Sequence, residues 1–210
     1  MFRTFGFVED LDYTDLNCAN TEVLILCGNT LFDKDDEGEL MNTLSNLAKN
    51  LKIKIIYVNR VGAEGCYVFN GSSLTVNENG DVCKQLEMFE EQEVIIDLEN
   101  LKPESSKTLC YEERIYKASV LGLKEYFEKN HIKKAVIGLS GGIDSAVVVV
   151  LGVAALGKEN VTGILMPSEY STEHSVSDAE QSAKNLGINY LTIPIKGMFH
   201  ASLDAMKPVF

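Results

Sequence analysis

The chain has 210 residues, enough for one large domain or two modest ones, and its hydrophobic fraction of 45% can supply a core for each. Its net charge of −12 repels nucleic acid and anionic lipid, so neither is a natural partner. The longest apolar stretch, residues 146–156, is too short for a membrane span of about 20 residues, and the N-terminus lacks the apolar core of a signal peptide, so we expect a soluble cytoplasmic protein.

Short apolar runs and one amphipathic helix make up the first half. Residues 5–8 and 23–27 are predicted strands, and apolar side chains at helical spacing from Glu37 to Leu51 predict a helix that lies on a sheet. Further strands are predicted at residues 53–58, 66–69, 73–76 and 94–98. Asn70-Gly71 and Asn79-Gly80 are tight-turn signals. The first half is therefore predicted to be α/β with a β-rich end.

Residues 99–108 are polar, contain a proline and show no periodicity, as is typical of a linker. The charge also changes here. Residues 1–105 hold 20 acidic and 8 basic side chains, whereas residues 106–210 hold 11 of each. We therefore predict two domains, residues 1–104 and 105–210.

The second half alternates between strands and helices. A helix over residues 112–129, with Ile115 among its buried positions, is predicted to precede a β-α-β-α-β series. Its elements are predicted at residues 135–139, 144–156, 161–166, 177–186 and 188–193. The second helix of the series would open with the capping box Ser177-x-x-Glu180 and stop at Gly187. This order requires right-handed crossovers and a parallel, doubly wound sheet.

The turn Ser140–Ser145, S-G-G-I-D-S, is the strongest candidate site, because the loops at the carboxyl ends of parallel strands present free helix amides to ligands. Gly141 and Gly142 would allow close backbone approach to a phosphate and positive φ, and the two serines add hydroxyl donors. Asp144 would repel a phosphate unless Mg²⁺ bridges the two. The alternative is an ordinary turn in which Asp144 caps the helix. Neither G-x-x-x-x-G-K-[ST] nor G-x-G-x-x-G occurs.

This turn, following a strand, resembles the pyrophosphate loop (PP-loop) of the N-type ATP pyrophosphatases, which cleave ATP between the α and β phosphates to adenylate a substrate. Within that superfamily, residues 161–168 (V-T-G-I-L-M-P-S), 170–179 and 185–188 resemble the NAD synthetases. The resemblance implies ATP and Mg²⁺ as cofactors, a Rossmann-like adenine-nucleotide-binding fold, and Asp144 as the metal residue. The implied ATP-binding residues are Gly138, Leu139, Ser140, Gly141, Gly142, Ile143, Asp144, Ser145 and Met166.

The first half resembles the later part of a nitrilase-type glutaminase domain, an α/β sandwich. The motifs that carry this resemblance are Y-V-N-R-V-G (57–62), V-F-N-G-S-S (68–73), G-D-V (80–82) and F-E-E (89–91). In F-V-E-D, residues 7–10, Val8 stands where the family has its nucleophilic cysteine. Valine cannot form the thioester that glutamine hydrolysis needs, so we identify no catalytic residue and expect no glutaminase activity.

The two resemblances together imply a glutamine-dependent NAD synthetase. Such an enzyme amidates deamido-NAD to NAD through an adenylate, with ammonia, from glutamine in the family, as nitrogen donor; the resemblance also implies a homo-oligomer. The family's glutamic acid base, its lysine and its T-G-N-K-S-E run have no counterpart here, so we expect an internal piece of a longer enzyme or a reduced relative, whose activity by itself is open. Two alternatives remain: a non-catalytic scaffold or assembly module derived from such an enzyme, and another N-type ATP pyrophosphatase amidotransferase.

Overall fold

The computed structural model describes residues 5–7, 21–33, 38–105 and 109–208. The chain divides into two compact units, Met1–Glu125 and Tyr126–Phe210. Both units mix helices with strands, and a long helix spans the division between them. In the described part of the chain, no helix combines the length and the apolar character that crossing a membrane requires.

The first unit is built on a five-stranded mixed sheet in the order β1-β2-β3-β6-β7. The first three strands are parallel, β6 pairs antiparallel with β3, and β7 pairs antiparallel with β6, while β4 and β5 form a separate hairpin. The elements are β1 Phe5–Phe7, β2 Val23–Gly28, α1 Glu39–Leu51, β3 Lys54–Asn59, β4 Val61–Glu64, β5 Tyr67–Asn70, β6 Leu74–Val76, β7 Val82–Gln85 and α2 Tyr111–Lys129.

Helix α1 covers one face of this sheet, as its apolar spacing predicts. Leu44 and Ala48 of the helix are fully buried, and they belong to one cluster with Leu24 and Ile55 of the sheet, which are fully buried too. Burial of such aliphatic side chains contributes about 1.5–3 kcal/mol each relative to exposure. This cluster is the core of the first unit.

Ile55→Val should lower the free energy of unfolding of the first unit by about 1 kcal/mol, because it removes a methylene group from a close-packed core and leaves a small cavity. Ile95→Val is the matched control, since Ile95 is 99% exposed and its truncation should change nothing measurable. Urea denaturation followed by circular dichroism measures both. Equal unfolding midpoints for the two variants would contradict the assignment of Ile55 to the core.

Five details of the first unit differ from the predictions. Residues 94–98 form no strand, although their apolar run favours one, and the strands β4 and β7 were not predicted. Asn79-Gly80 does lie in the turn between β6 and β7, with Gly80 at φ 85°, but Gly71, at φ 65°, connects strands that belong to different sheets. In α2 the inward positions are Arg114 and Ala118, and Ile115 is exposed.

The second unit contains a parallel sheet, as predicted, and its strand order is β10-β9-β8. Its elements after α2 are β8 Ala135–Gly138, α3 Ile143–Leu156, a 3₁₀ helix Lys158–Asn160, β9 Val161–Leu165, α4 Glu173–Leu186, β10 Asn189–Thr192 and α5 Lys196–Met206. Val149 of α3 and Ala183 of α4 are fully buried in one cluster with Val161 and Leu165 of the central strand. Helices α3 and α4 therefore pack on the same sheet. Helix α5 was not predicted.

Helix α4 begins earlier than the predicted capping box at Ser177. Its N-cap is Thr172, whose hydroxyl accepts a hydrogen bond from the amide of Ser175 at 3.1 Å. Ser177 lies inside the helix and donates to the carbonyl of His174 at 2.9 Å. The predicted end at Gly187 is correct, with Gly187 in the left-handed region at φ 65°. The earlier start brings the first turn of α4 close to the S-G-G-I-D-S turn.

Candidate nucleotide-binding site

The S-G-G-I-D-S turn connects the carboxyl end of β8 to the amino end of α3. Because β8, β9 and β10 are parallel, the loops after β8 and β9 leave the sheet at the same edge. The loop after β9 comprises residues 166–172, and we call it the β9 loop. The sheet thus brings together the two segments that the sequence marks as candidate ATP-binding residues.

Ser140 and Ser145 hold the turn together through their hydroxyl groups. The amide of Ser140 donates to Ser145 Oγ at 3.2 Å, and the two hydroxyl oxygens are 3.1 Å apart. Ser145 Oγ donates to the carbonyl of Gly142 at 3.0 Å, and the Gly142 amide donates to Ser140 Oγ at 3.3 Å. The serines that were predicted as phosphate donors therefore also fix the shape of the turn.

Gly141 is required by the geometry of the turn. Its φ of 80° lies in the left-handed region, and a Cβ atom on this residue would stand 2.1 Å from the backbone carbonyl oxygen of Ser175 in α4. The turn is thus packed directly on the first turn of α4, a contact that no local pattern in the sequence reveals. Gly142 differs from the expectation, since its φ is −87° and a Cβ there would meet only Ser140 Oγ, at 3.4 Å.

The amino end of α3 presents backbone amides and one carboxylate. Gly142 is the N-cap, and no described side chain caps it; the first helical bond runs from the Ala146 amide to the Gly142 carbonyl. Asp144 lies in the first turn and is exposed. It does not occupy the N-cap position, so the alternative of a merely capping Asp144 is wrong. Its charge still interacts favourably with the positive end of the helix dipole.

Met166 lies beside the start of the turn. It is 50% exposed, and its Cε atom is 3.4 Å from the position that a Cβ of Gly138 would take. Leu139 is only 5% exposed and packs against Gly163 of β9, so only its backbone can face a ligand. Ile143 is 76% exposed. Of the nine candidate residues, only Leu139 is buried, and the others are at least partly exposed at this edge of the sheet.

The donor set fits a magnesium ion that arrives with a nucleotide. Among the residues that the structure describes, no group of three or more His, Cys, Asp or Glu side chains could hold a metal ion. Asp144 contributes a single exposed carboxylate next to the hydroxyl groups of the turn. Mg²⁺ commonly binds through one or two carboxylates and completes its octahedron with phosphate oxygens and water.

The described part of the first unit contains a buried polar network around Asn59. The Asn59 side chain donates to Asn70 Oδ1 at 2.9 Å and to the carbonyl of Gly71 at 2.8 Å. Its Oδ1 accepts a hydrogen bond from the hydroxyl of Tyr57 at 3.3 Å. The pKa of Tyr57 is raised by burial, and a hydrogen bond with Thr30 offsets this rise only in part. Val8, at the predicted nucleophile position, lies outside the described residues.

No described cysteine in the first unit is set up as a replacement nucleophile. Burial raises the pKa of the Cys83 thiol, which disfavours the reactive thiolate, and Cys83 donates to the carbonyl of Asp81 at 3.4 Å. Cys27 is half-buried, whereas Cys66 and Cys110 are exposed. These positions agree with ordinary free thiols.

The parallel sheet, the glycine-serine turn and the exposed amino end of α3 form the arrangement that the resemblance to the N-type ATP pyrophosphatases predicts. Residues 115–209 match the family described as NAD synthase. The predicted resemblance to glutamine-dependent NAD synthetases is confirmed, because the chain is homologous to these proteins over most of its length.

Two curated relatives illustrate this homology. The glutamine-dependent NAD(+) synthetase of Synechocystis sp. is 40% identical over 173 residues, which are 80% of this chain and 31% of that protein. The enzyme of Thermotoga maritima is 37% identical over 204 residues, again 80% of this chain and 35% of that protein. The chain therefore spans about a third of the length of these relatives.

Solved structures agree with the fold. The glutamine-dependent NAD+ synthetase of Acinetobacter baumannii, in complex with ADP, superposes with a TM-score of 0.84 at 30% identity, covering 91% of this chain and 38% of that one. The synthetase of Cytophaga hutchinsonii superposes with a TM-score of 0.80 at 15% identity, covering 97% and 40%, which supports the fold alone. The predicted α/β fold class is confirmed.

Proposed function

We propose that this chain takes part in the ATP-dependent amidation of deamido-NAD to NAD. ATP would bind across the turn from Gly138 to Ser145, with its adenine near Met166, and would adenylate the nicotinate carboxylate with release of pyrophosphate. Ammonia then attacks the adenylate to give the amide and AMP. The observation that supports this proposal most directly is the Gly141 turn, fitted against α4 beside an exposed helix amino end, in a region that matches the NAD synthase family.

The adenylate is needed because a carboxylate does not react with ammonia at neutral pH, whereas an acyl adenylate carries AMP as a leaving group. Negative charge develops on the departing pyrophosphate, and the amides of residues 143–145, at the positive end of α3, would stabilise that charge. The hydroxyl groups of Ser140 and Ser145, which are 3.1 Å apart in the same turn, would add donors. A magnesium ion bound there would neutralise further phosphate charge.

The roles of individual residues follow from their positions. Asp144 would hold the magnesium ion, because it is the exposed carboxylate in the first turn of α3. Gly141 and Gly142 would let the backbone approach the phosphates closely. Met166 and Gly138, which lie side by side at the ends of β9 and β8, would contact the adenosine part. The ADP bound by the A. baumannii enzyme makes an adenine nucleotide a reasonable ligand.

Ammonia is the proposed immediate nitrogen donor for this chain. In the glutamine-dependent family ammonia comes from glutamine, and that step needs a nucleophilic cysteine where this sequence has Val8. We therefore propose that ammonia is taken up from solution or from another protein. The homo-oligomer implied by the resemblance stays a prediction.

Pyrophosphate release tests the proposed activity. The natural gene product, supplied with Mg-ATP and deamido-NAD, should release pyrophosphate and form NAD with ammonium, whereas glutamine alone should give less than about 1% of that rate, since mutation of an essential nucleophile costs 10²-fold or more. Coupled detection of pyrophosphate measures the first step, and chromatography of NAD measures the second. Equal rates with glutamine and ammonium would contradict the role assigned to Val8.

A non-catalytic scaffold or assembly module is the second candidate, and Val8 is the observation that favours it. The two candidates differ in the same assay. A scaffold would bind no ATP and release no pyrophosphate with either nitrogen donor. An enzyme must bind ATP and release pyrophosphate. The intact geometry of the Gly141 turn favours the enzyme.

A further inference from the structure

The β9 loop runs beside the chain segment that follows β10. The amide of Ile193 donates to the carbonyl of Leu165 at 2.8 Å, and the amide of Ile195 donates to the carbonyl of Pro167 at 3.1 Å. The pairing of β9 with β10 therefore continues beyond the regular sheet, on the side where the candidate ATP site lies. Helix α5 begins immediately afterwards.

Side chains of α5 hold the middle of the same loop. Glu169 Oε2 lies 3.1 Å from His200 Nε2 and 3.9 Å from Lys196 Nζ. The side chain of Glu169 is 29% exposed, less than that of either partner. The ring of Tyr170 meets that of Phe199 edge to face, with centroids 5.7 Å apart. Helix α5 thus contacts two consecutive residues of the β9 loop.

Both ends of the β9 loop lie in the candidate site. At its start, Met166 packs over Gly138, and just after its end Ser175 packs on Gly141. Hydrogen bonds within the loop shape its centre, since the Ser168 amide donates to Ser171 Oγ at 3.0 Å. A shift of the loop centre would therefore move Met166, while the S-G-G-I-D-S turn keeps its own internal hydrogen bonds.

We propose that Glu169 is a positioning residue for the adenosine part of ATP. Through His200 and Lys196 it anchors the β9 loop to α5 and so holds Met166 against Gly138 before the nucleotide arrives. Preorganisation of this kind raises affinity, because a loop that samples other conformations is competent to bind only part of the time. The proposal rests on the proposed function, since it assumes ATP as the ligand.

Binding of two ligands separates this role from a general effect on folding. Glu169→Ala should weaken Mg-ATP binding to the 210-residue chain about fivefold, the upper range for an exposed ion pair, and leave the binding of magnesium tripolyphosphate unchanged. His200→Ala should act in the same direction, and His200→Gln should retain most of the affinity, because glutamine can still donate to the carboxylate. Isothermal titration calorimetry measures each dissociation constant.

The matched control is Asp204→Ala, which removes another carboxylate ion pair of α5, with Lys207 at 2.6 Å, and should leave both ligands unaffected. Hydrogen exchange supplies a readout without nucleotide. In Glu169→Ala the amides of Ser168, Tyr170 and Ser171 should exchange about fivefold faster, and those of residues 140–145 should not change.

The outcomes distinguish this proposal from the proposed function. If the unmodified chain binds neither ATP nor tripolyphosphate, the proposed function fails, and hydrogen exchange alone decides whether Glu169 anchors the loop. Unchanged exchange in Glu169→Ala overturns the anchoring role. An equal loss of ATP and tripolyphosphate binding overturns a role specific to the adenosine part.

Discussion

Replacing Gly141 with alanine is expected to weaken ATP binding by at least about a hundredfold. The new Cβ would lie 2.1 Å from the Ser175 carbonyl oxygen, and because that atom belongs to the backbone of α4, relief requires the turn or the helix to move. A displacement of about 1 Å can cost an enzyme on the order of 10²-fold in rate, and we expect a loss of similar size in ATP affinity here. The positive φ of 80° adds strain of about 1–3 kcal/mol, which should lower the melting temperature as well. Calorimetry and thermal denaturation measure the two effects.

Gly197→Ala is the control for this change. Gly197 lies in α5, its φ is not positive, and a Cβ there would have no described atom within 4 Å beyond its own chain neighbours and the nearby backbone of its helix. Alanine should therefore stabilise the helix by up to about 1 kcal/mol and leave ATP binding unchanged. ATP affinity equal to that of the unmodified chain in Gly141→Ala would show that the S-G-G-I-D-S turn does not bind the phosphates.

The architecture of the second unit could be predicted from the sequence because its signals are local. Apolar runs of strand and helix length alternate there, and Gly187 ends α4 in the left-handed conformation that glycine adopts easily. The S-G-G-I-D-S turn falls between a strand and a helix, as predicted. Right-handed crossovers then leave little choice but a parallel sheet with this turn at its carboxyl edge.

The features that were missed depend on contacts between distant residues. Thr172 and Ser177 both suit an N-cap, and the N-cap of α4 is Thr172. This start of the helix is accompanied by the packing of Ser175 on Gly141, more than 30 residues away in the chain. Residues 94–98 have strand propensity but pair with no described strand, and pairing is a tertiary property. The contacts of α5 with the β9 loop could likewise not be read from the isolated segments.

Two of the motifs that carry the resemblance of the first unit to the nitrilase-type glutaminases meet in the structure. Asn59, from Y-V-N-R-V-G, and Asn70, from V-F-N-G-S-S, hydrogen-bond each other in the buried network. Ser73 Oγ accepts a hydrogen bond from the backbone amide of Asn59 at 3.0 Å. Buried polar groups need such partners, so these residues form one structural unit. Their spacing alone could not show that they meet.

Asp144→Asn is expected to remove the magnesium dependence of ATP binding. If Asp144 holds the ion, the unmodified chain should bind ATP at least about tenfold more tightly with Mg²⁺ than with EDTA, and the variant should bind equally under both conditions. Asparagine has nearly the same shape as aspartate and lacks its charge, so the turn should keep its internal hydrogen bonds. Calorimetric titrations with and without magnesium measure the ratio.

Glu159→Gln is the matched control, since Glu159 is an exposed carboxylate just beyond the opposite end of α3, about 20 Å away for a helix of this length. It should keep the magnesium dependence of the unmodified chain. The charge of Asp144 also interacts favourably with the helix dipole. Asp144→Asn, unlike Glu159→Gln, should therefore lower the stability of the unit by about 0.3–1 kcal/mol. If that loss of stability were the only effect, with the magnesium ratio intact, Asp144 would be a helix-stabilising residue and the metal would have to bind elsewhere.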